Sequence, residues 1–254
     1  MLLLLRLFPS VIALVMVGGV MTFFWSGFNP LMVIAATLIL LFFLLAKLAG
    51  WNWQKPDFWF LLGVPFFFSF SSFCILLFLE GEVIKIGLAI LSVMLLWLFT
   101  ENLFNFVYLP GAYQVNALEY LTLVINIISA FFISASFLAL RLYFGLSLWL
   151  LVPVFCLLAF SLLVSTFWVC KTEKDKILPV AFGGMILAGE LFVALALLPT
   201  GFLPNAAFLA VFFYLFFGLL RSFFSGKLSS TIWQHYILAA IIFIGLIIGT
   251  ARWM

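Results

Sequence analysis

Residues 30–50 read Pro30-Leu-Met-Val-Ile-Ala-Ala-Thr-Leu-Ile-Leu-Leu-Phe-Phe-Leu-Leu-Ala-Lys-Leu-Ala-Gly50, and the first charge in this stretch is Lys47. About 20 apolar residues in an α-helix cross the hydrocarbon core of a bilayer, because about 30 Å is covered at about 1.5 Å per residue. The stretch therefore predicts a transmembrane helix. Runs of the same kind, separated by Gly, Pro and charged residues, recur along the chain and predict helices over 8–26, 30–49, 58–79, 83–108, 116–141, 146–169, 177–198, 204–222 and 231–251.

The composition of the whole chain supports this interpretation. Of 254 residues, 68% are apolar and 7% are charged, whereas soluble domains average about 45–50% apolar and about 25% charged residues. A soluble protein of this length could not cover its surface with so few charges. We therefore predict an all-α fold, a polytopic bundle of about nine transmembrane helices forming a single transmembrane domain over residues 1–254.

The same composition excludes several function classes. The net charge of +3 is small and dispersed, so we expect no nucleic-acid partner. His235 is the single histidine, and the three cysteines have no C-x-x-C spacing, so we expect neither a metal site nor a cofactor. No H-E-x-x-H, G-x-S-x-G or glycine-rich phosphate motif is present in the sequence. We therefore predict that the protein is not an enzyme.

The lysines and arginines are distributed unequally between the two sides of this nine-helix arrangement. Cytoplasmic loops of membrane proteins carry an excess of Lys and Arg. The side of the N-terminus holds Arg6, Lys47, Lys55, Lys171, Lys174, Lys176, Arg221 and Lys227, and the opposite side holds only Lys85, Arg141 and Arg252. We therefore predict a cytoplasmic N-terminus and an external C-terminus.

Two segments of the chain share a pattern of rare residues. Residues 101–117 and 190–206 both read Glu, eight residues, Pro, five residues, Asn-Ala, at a constant offset of 89. The pattern suggests three-helix units over 1–80, 81–170 and 171–254, which would enter the membrane from alternating sides. Such inverted repeats are typical of many transporters. Chance similarity is the alternative, because a chain rich in Phe and Leu aligns easily with itself.

Glu190 is the most distinctive polar residue of the predicted spans. It follows Gly183-Gly184-Met-Ile-Leu-Ala-Gly189 and has apolar neighbours along the chain. A carboxylate within a bilayer must face a cavity or a partner, or be protonated, and the glycines would allow another helix to approach closely. Glu190 is therefore a candidate for binding a proton or substrate; the alternative is a neutral residue that fixes helix packing.

Three further residues are candidates for binding a substrate or proton. Glu101 has the equivalent place in the first repeat segment, and Asn105 lies one turn further on the same helix face. Both Glu101 and Glu190 could instead be structural contacts. Asn126 is expected near the middle of the fifth span, where its amide needs a partner and could join two helices.

A family resemblance accompanies these patterns. The stretches 101–119 and 190–220 resemble a family of bacterial multipass membrane proteins with no known activity, in which a Glu-Leu helix ends in Leu-Pro. The following helix is rich in Tyr and Phe and closes with Gly-Leu-Leu-Arg, here within Tyr214-Leu-Phe-Phe-Gly-Leu-Leu-Arg221. The resemblance implies a location in the bacterial inner membrane and no particular substrate.

Together these features favour a small-molecule or ion transporter, whose partners would be the lipid bilayer and a small-molecule substrate or protons. The first alternative is a non-catalytic membrane scaffold or subunit of a larger membrane complex. A membrane-embedded lipid-modifying enzyme is the least favoured alternative. A polar cavity that reaches Glu190 would support transport, whereas a dry, packed interior would support a scaffold.

Overall fold

Nine α-helices follow one another along the described part of the chain, with no strand among these residues. The computed structural model describes residues 5–25, 27–111, 113–114, 116–169, 174–224, 226 and 229–251. The helices are α1 (Phe8–Trp25), α2 (Pro30–Leu48), α3 (Pro56–Leu76), α4 (Glu82–Tyr108), α5 (Ala117–Phe144), α6 (Leu148–Val169), α7 (Lys174–Ala196), α8 (Phe202–Phe224) and α9 (Ser230–Thr250). All nine described helices contain a segment long and apolar enough to cross a membrane, so the predicted polytopic fold is confirmed.

Local sequence signals explain where several helices begin and end. The side chain of Asn29 accepts a hydrogen bond from the amide of Leu31 (3.0 Å), which caps α2 just before Pro30. The α2 helix ends at Leu48, and two residues later Gly50 has a positive φ of 90°, which a residue with a side chain rarely adopts. The predicted spans therefore match the observed helices to within a few residues at each end.

The chain divides into two compact units, residues 1–125 and 126–254, and the boundary falls within α5. In the first unit, α1 packs against α2 and α4, and α3 packs against α2 and α4. The hydroxyl of Tyr108 at the end of α4 donates to the carbonyl of Lys47 near the end of α2 (3.3 Å). These two helices therefore end on the same side of the first unit, as the alternating arrangement requires.

In the second unit, α6 packs against α7 and α8, α7 packs against α8, and α8 packs against α9. Aromatic rings fill much of the space between these helices; Phe155 of α6 stacks on Phe192 of α7 with ring centroids 4.4 Å apart. By contrast, only 6% of the residues in the most apolar segment of α9 are buried. Most of α9 is therefore exposed on the surface of the described residues.

The internal repeat stays a prediction. Asn116 precedes α5 with a positive φ of 65°, whereas Asn205 lies inside the first turn of α8. The two corresponding segments therefore differ locally at one of the residues that defined them. The orientation also stays a prediction, and Lys171, Lys227 and Arg252, on which it partly depends, lie outside the described residues.

Candidate functional site

Asn126 lies in the interior of the second unit and joins two helices. Its side chain is fully buried, and its amide nitrogen donates to the hydroxyl of Thr166 (2.7 Å) and to that of Ser165 (3.2 Å), both on α6. These hydroxyls in turn donate to the carbonyl oxygen of Leu162 (2.8 Å from Thr166 and 3.0 Å from Ser165). The prediction that Asn126 needs a partner on another helix is confirmed.

The carbonyl oxygen of the Asn126 side chain is buried and accepts no hydrogen bond from any described residue. An amide offers both donors and an acceptor, and leaving a buried acceptor unpaired costs about 1–3 kcal/mol. The cluster of Asn126, Ser165 and Thr166 therefore pairs the amide nitrogen of Asn126 but leaves its carbonyl oxygen without a hydrogen-bond donor. Sequence reasoning found Asn126 but missed its two partners, because Ser and Thr are common in membrane helices and carry no positional signal there.

Glu190 lies on α7 with its side chain exposed, and it does not line the apolar cleft between α1 and α4 or the two cavities beside Arg141. The α7 residues on the same face are also exposed, among them Phe182, Ile186 and Leu187. Residues three, four and eight positions apart share one helix face. The face that carries Glu190 is therefore apolar except for this carboxylate, and we call it the α7 outer face: Phe182, Gly183, Ile186, Leu187, Glu190 and Ala194.

The glycines before Glu190 have two different environments. A Cβ at Gly184 would lie 2.5 Å from Phe216 of α8, and a Cβ at Gly189 would lie 2.6 Å from the sulfur of Cys156 of α6. Gly183 has nothing within 4 Å and belongs to the α7 outer face. Close helix approach is therefore confirmed at Gly184 and Gly189 within the chain, whereas the absence of a side chain at Gly183 serves no internal contact.

Glu101 and Asn105 lie near the end of α4 in the first unit, one turn apart, and both are half-buried. Neither side chain has a hydrogen-bond partner among the residues that the structure describes. These two residues belong to the first unit, and Asn126 and Glu190 belong to the second. Within the second unit, Asn126 is buried and Glu190 is exposed, and no hydrogen bond joins the two described side chains.

Cavities open on the surface of both units. In the first unit, a cleft of about 460 Å³ between α1 and α4 is lined almost entirely by apolar side chains, with Trp25 and Trp97 among them. In the second unit, two cavities of about 200 Å³ and about 440 Å³ share Arg141. The sequence marks Arg141 only as a positive charge near a helix end, because a lone arginine at such a position is usual and gives no sign of a cavity.

The described residues contain no group of three or more His, Cys, Asp or Glu side chains placed to hold a metal ion. Cys74 and Cys156 are free thiols, and Cys170 lies outside the described residues.

No known protein family, curated protein or solved structure matches this chain. The nine apolar helices of the described residues are those of an integral, multi-pass membrane protein.

Proposed function

We propose that this protein is a non-catalytic integral-membrane subunit that binds a transmembrane helix of another membrane protein through the α7 outer face. The observation that carries the proposal is the exposed side chain of Glu190 on an otherwise apolar, membrane-spanning helix. Ionisable residues in transmembrane segments almost always face a protein interior or a water-filled cavity. A partner helix would provide that interior.

Glu190 lies too far from the end of α7 for its short side chain to place the carboxylate at the membrane surface. Glu190 stands six residues before the end of α7 at Ala196, which is about 9 Å at about 1.5 Å per residue. Lysine and arginine reach the interface from such depths on stems of three or four methylene groups. Glutamate has two, so contact with a hydrogen-bond donor on another helix is the more favourable arrangement.

Gly183 supports the same surface independently. Glycine in the interior of a helix costs about 0.8–1.0 kcal/mol relative to alanine, and at Gly183 no neighbouring atom requires it. Small residues at the interfaces of transmembrane helices let two backbones approach closely. Gly183 and Glu190 are seven positions apart and so lie on one face, which suits a single crossing helix.

The chemistry of Glu190 favours a different protein over a second copy of this chain. A two-fold symmetric contact through this face would place two Glu190 carboxylates close together, where their like charges repel each other. A partner with Lys, Arg, Ser or Asn opposite Glu190 would satisfy the carboxylate directly. We therefore commit to a heteromeric contact with a donor-bearing helix.

The proposal is tested by placing a photo-crosslinking amino acid at Leu187 in the full-length protein in its native membrane. We expect one crosslinked product larger than the monomer, which is lost when Gly183→Leu or Glu190→Leu is added and kept with Glu190→Gln. Leu157 of α6, also exposed, is the matched control position and should give no such product. A product that is insensitive to Gly183→Leu and Glu190→Leu, or that has twice the mass of the chain, would contradict the proposal.

Transport remains a second candidate because of the unpaired carbonyl oxygen of Asn126. A water molecule, a hydronium ion or a substrate with a hydrogen-bond donor could pair with this buried acceptor during transport. If the protein carries protons, the interior of vesicles that contain it should become more acidic when the outside solution is acidified. An enclosed pH-sensitive dye reports this change. Glu190→Gln and Asn126→Leu should abolish that flux if these residues lie on its path, and flux equal to that of empty vesicles would argue against proton transport.

A further inference from the structure

One end of the second unit carries a polar cavity that neither candidate function uses. The cavity of about 200 Å³ lies where α5 and α7 end and α8 begins, and its lining includes Arg141, Ala196, Thr200, Phe202 and Asn205. A neighbouring cavity of about 440 Å³ is lined by Arg141 and by residues 145–149, which include the start of α6. Arg141 therefore stands between two openings at the same end of the unit.

The guanidinium group of Arg141 has no hydrogen-bond or ion-pair partner among the described residues, and Arg141 as a whole residue is half-buried. Its position in the last turn of α5 places a positive charge where the helix dipole favours one. That position accounts for the charge but not for the five N–H donors of the guanidinium, which are left available. A planar donor fork of this kind matches the oxygen atoms of a carboxylate or a phosphate.

Two other residues that line this cavity, Thr200 and Asn205, are polar and are held by hydrogen bonds. The hydroxyl of Thr200 donates to the side-chain oxygen of Asn205, and the side-chain nitrogen of Asn205 donates to the carbonyl of Leu195 (2.9 Å). Asn205 is 3% exposed. These contacts tie the end of α7 to the start of α8, so the cavity is built by a fixed turn and not by loose side chains.

The electrostatics of the cavity favour an anion. The α8 helix begins at Phe202 and α6 begins at Leu148, so the N-terminal ends of two helices of about 20 residues lie at the two openings beside Arg141. Helix N-termini carry partial positive charge and unpaired amide groups. The C-terminal ends of α5 and α7 at the same end of the unit carry the opposite partial charge and offset these N-termini, so the guanidinium of Arg141 sets the preference for an anion. No described acidic side chain lines either cavity.

Exposed aromatic residues mark the level of this end relative to the bilayer. Trp149 is 89% exposed at the start of α6, and Tyr143 is exposed at the end of α5. Trp and Tyr collect at the depth of the lipid headgroups. The cavity therefore opens where phosphate groups of lipids are concentrated and where solutes arrive from water.

We propose that the cavity between Arg141 and the α7–α8 turn binds a phosphate group, carried either by a phospholipid headgroup or by a small soluble compound. Arg141 would hold two phosphate oxygens through its fork, and the Thr200–Asn205 turn would form another part of the cavity wall. The inference does not depend on the partner helix proposed for the α7 outer face, since the two surfaces share no residue.

The experiment uses the delipidated full-length protein in detergent, with binding of phosphatidylglycerol and of inorganic phosphate each measured by native mass spectrometry. We expect Arg141→Gln to raise the Kd of the bound probe at least tenfold, and Arg141→Lys to raise it less, because lysine keeps the charge but not the planar fork. Ala196→Leu keeps Arg141 and fills the cavity, so it should also weaken binding at least tenfold. Lys85→Gln removes one positive charge elsewhere and is the matched control, with an expected change below twofold.

The outcomes separate the two sources of phosphate. Binding of phosphatidylglycerol alone, with this pattern of variants, identifies a lipid site, and equal binding of inorganic phosphate identifies a site for soluble phosphate compounds. A Kd that Ala196→Leu leaves unchanged, or that Arg141→Gln changes no more than Lys85→Gln does, would overturn the proposal. So would the absence of saturable binding for both probes to the wild-type protein.

Discussion

Replacing Gly184 by alanine should destabilise the second unit, and the same replacement at the neighbouring Gly183 should not. Alanine is favoured over glycine in a helix by about 0.8–1.0 kcal/mol, which applies equally to both positions. At Gly184 the added Cβ would lie 2.5 Å from the ring of Phe216 and 3.1 Å from Leu163. Inserting a methyl group into a packed contact of this kind costs about 1–3 kcal/mol.

At Gly183 no atom lies within 4 Å of the added Cβ, so only the helix-propensity gain remains. The propensity contribution cancels when the two variants are compared. We therefore expect Gly184→Ala to be less stable than Gly183→Ala by about 1–3 kcal/mol. The free energy of unfolding is measured for both by titration with SDS in mixed micelles, followed by circular dichroism.

The double variant Gly184→Ala with Phe216→Leu provides the control, because leucine removes the ring that the new methyl group would meet. The two substitutions should then be non-additive, since contacting residues couple energetically. Equal stability of Gly183→Ala and Gly184→Ala, or strict additivity in the double variant, would refute the packing argument for α7 against α8.

Three further predictions concern the interior and the topology. Asn126→Ala should lower the free energy of unfolding by about 1–3 kcal/mol, because it removes two interhelical hydrogen bonds worth about 0.6 and at most about 1.7 kcal/mol each. Asn126→Leu should cost less, because leucine refills the buried volume that alanine leaves empty, and an equal or larger loss in the same SDS titration would contradict this. Asn205→Ala should cost about 1–2 kcal/mol in that assay through the lost bonds to Leu195 and Thr200, and unchanged stability would mean that the α7–α8 turn holds without them. Reporter fusions should place residues 171–176 in the cytoplasm and Met254 outside, and a result with both on one side would mean that a transmembrane span was miscounted.

The sequence alone determined the number and limits of the helices. The helices follow from the long apolar runs between Pro, Gly and charged residues. Within a bilayer, such a run satisfies its backbone hydrogen bonds inside its own segment only as a helix. The signals are local, as at Asn29-Pro30, where the capping side chain and the proline are adjacent in the chain. The need of Asn126 for a hydrogen-bond partner could also be predicted from the sequence, because any buried amide side chain requires one. The sequence did not indicate which residues that partner would be.

Only the tertiary structure decided which face of each helix is covered. Gly183 and Gly184 are neighbours in the sequence, yet a helix turns by about 100° per residue, so one faces Phe216 and the other faces outward. In a membrane protein both faces are apolar, since lipid tails and protein interior accept the same side chains, and hydrophobic periodicity cannot tell them apart. For that reason the sequence identified Glu190 but not its exposure, and it held no sign that Arg141, Thr200 and Asn205 line one cavity.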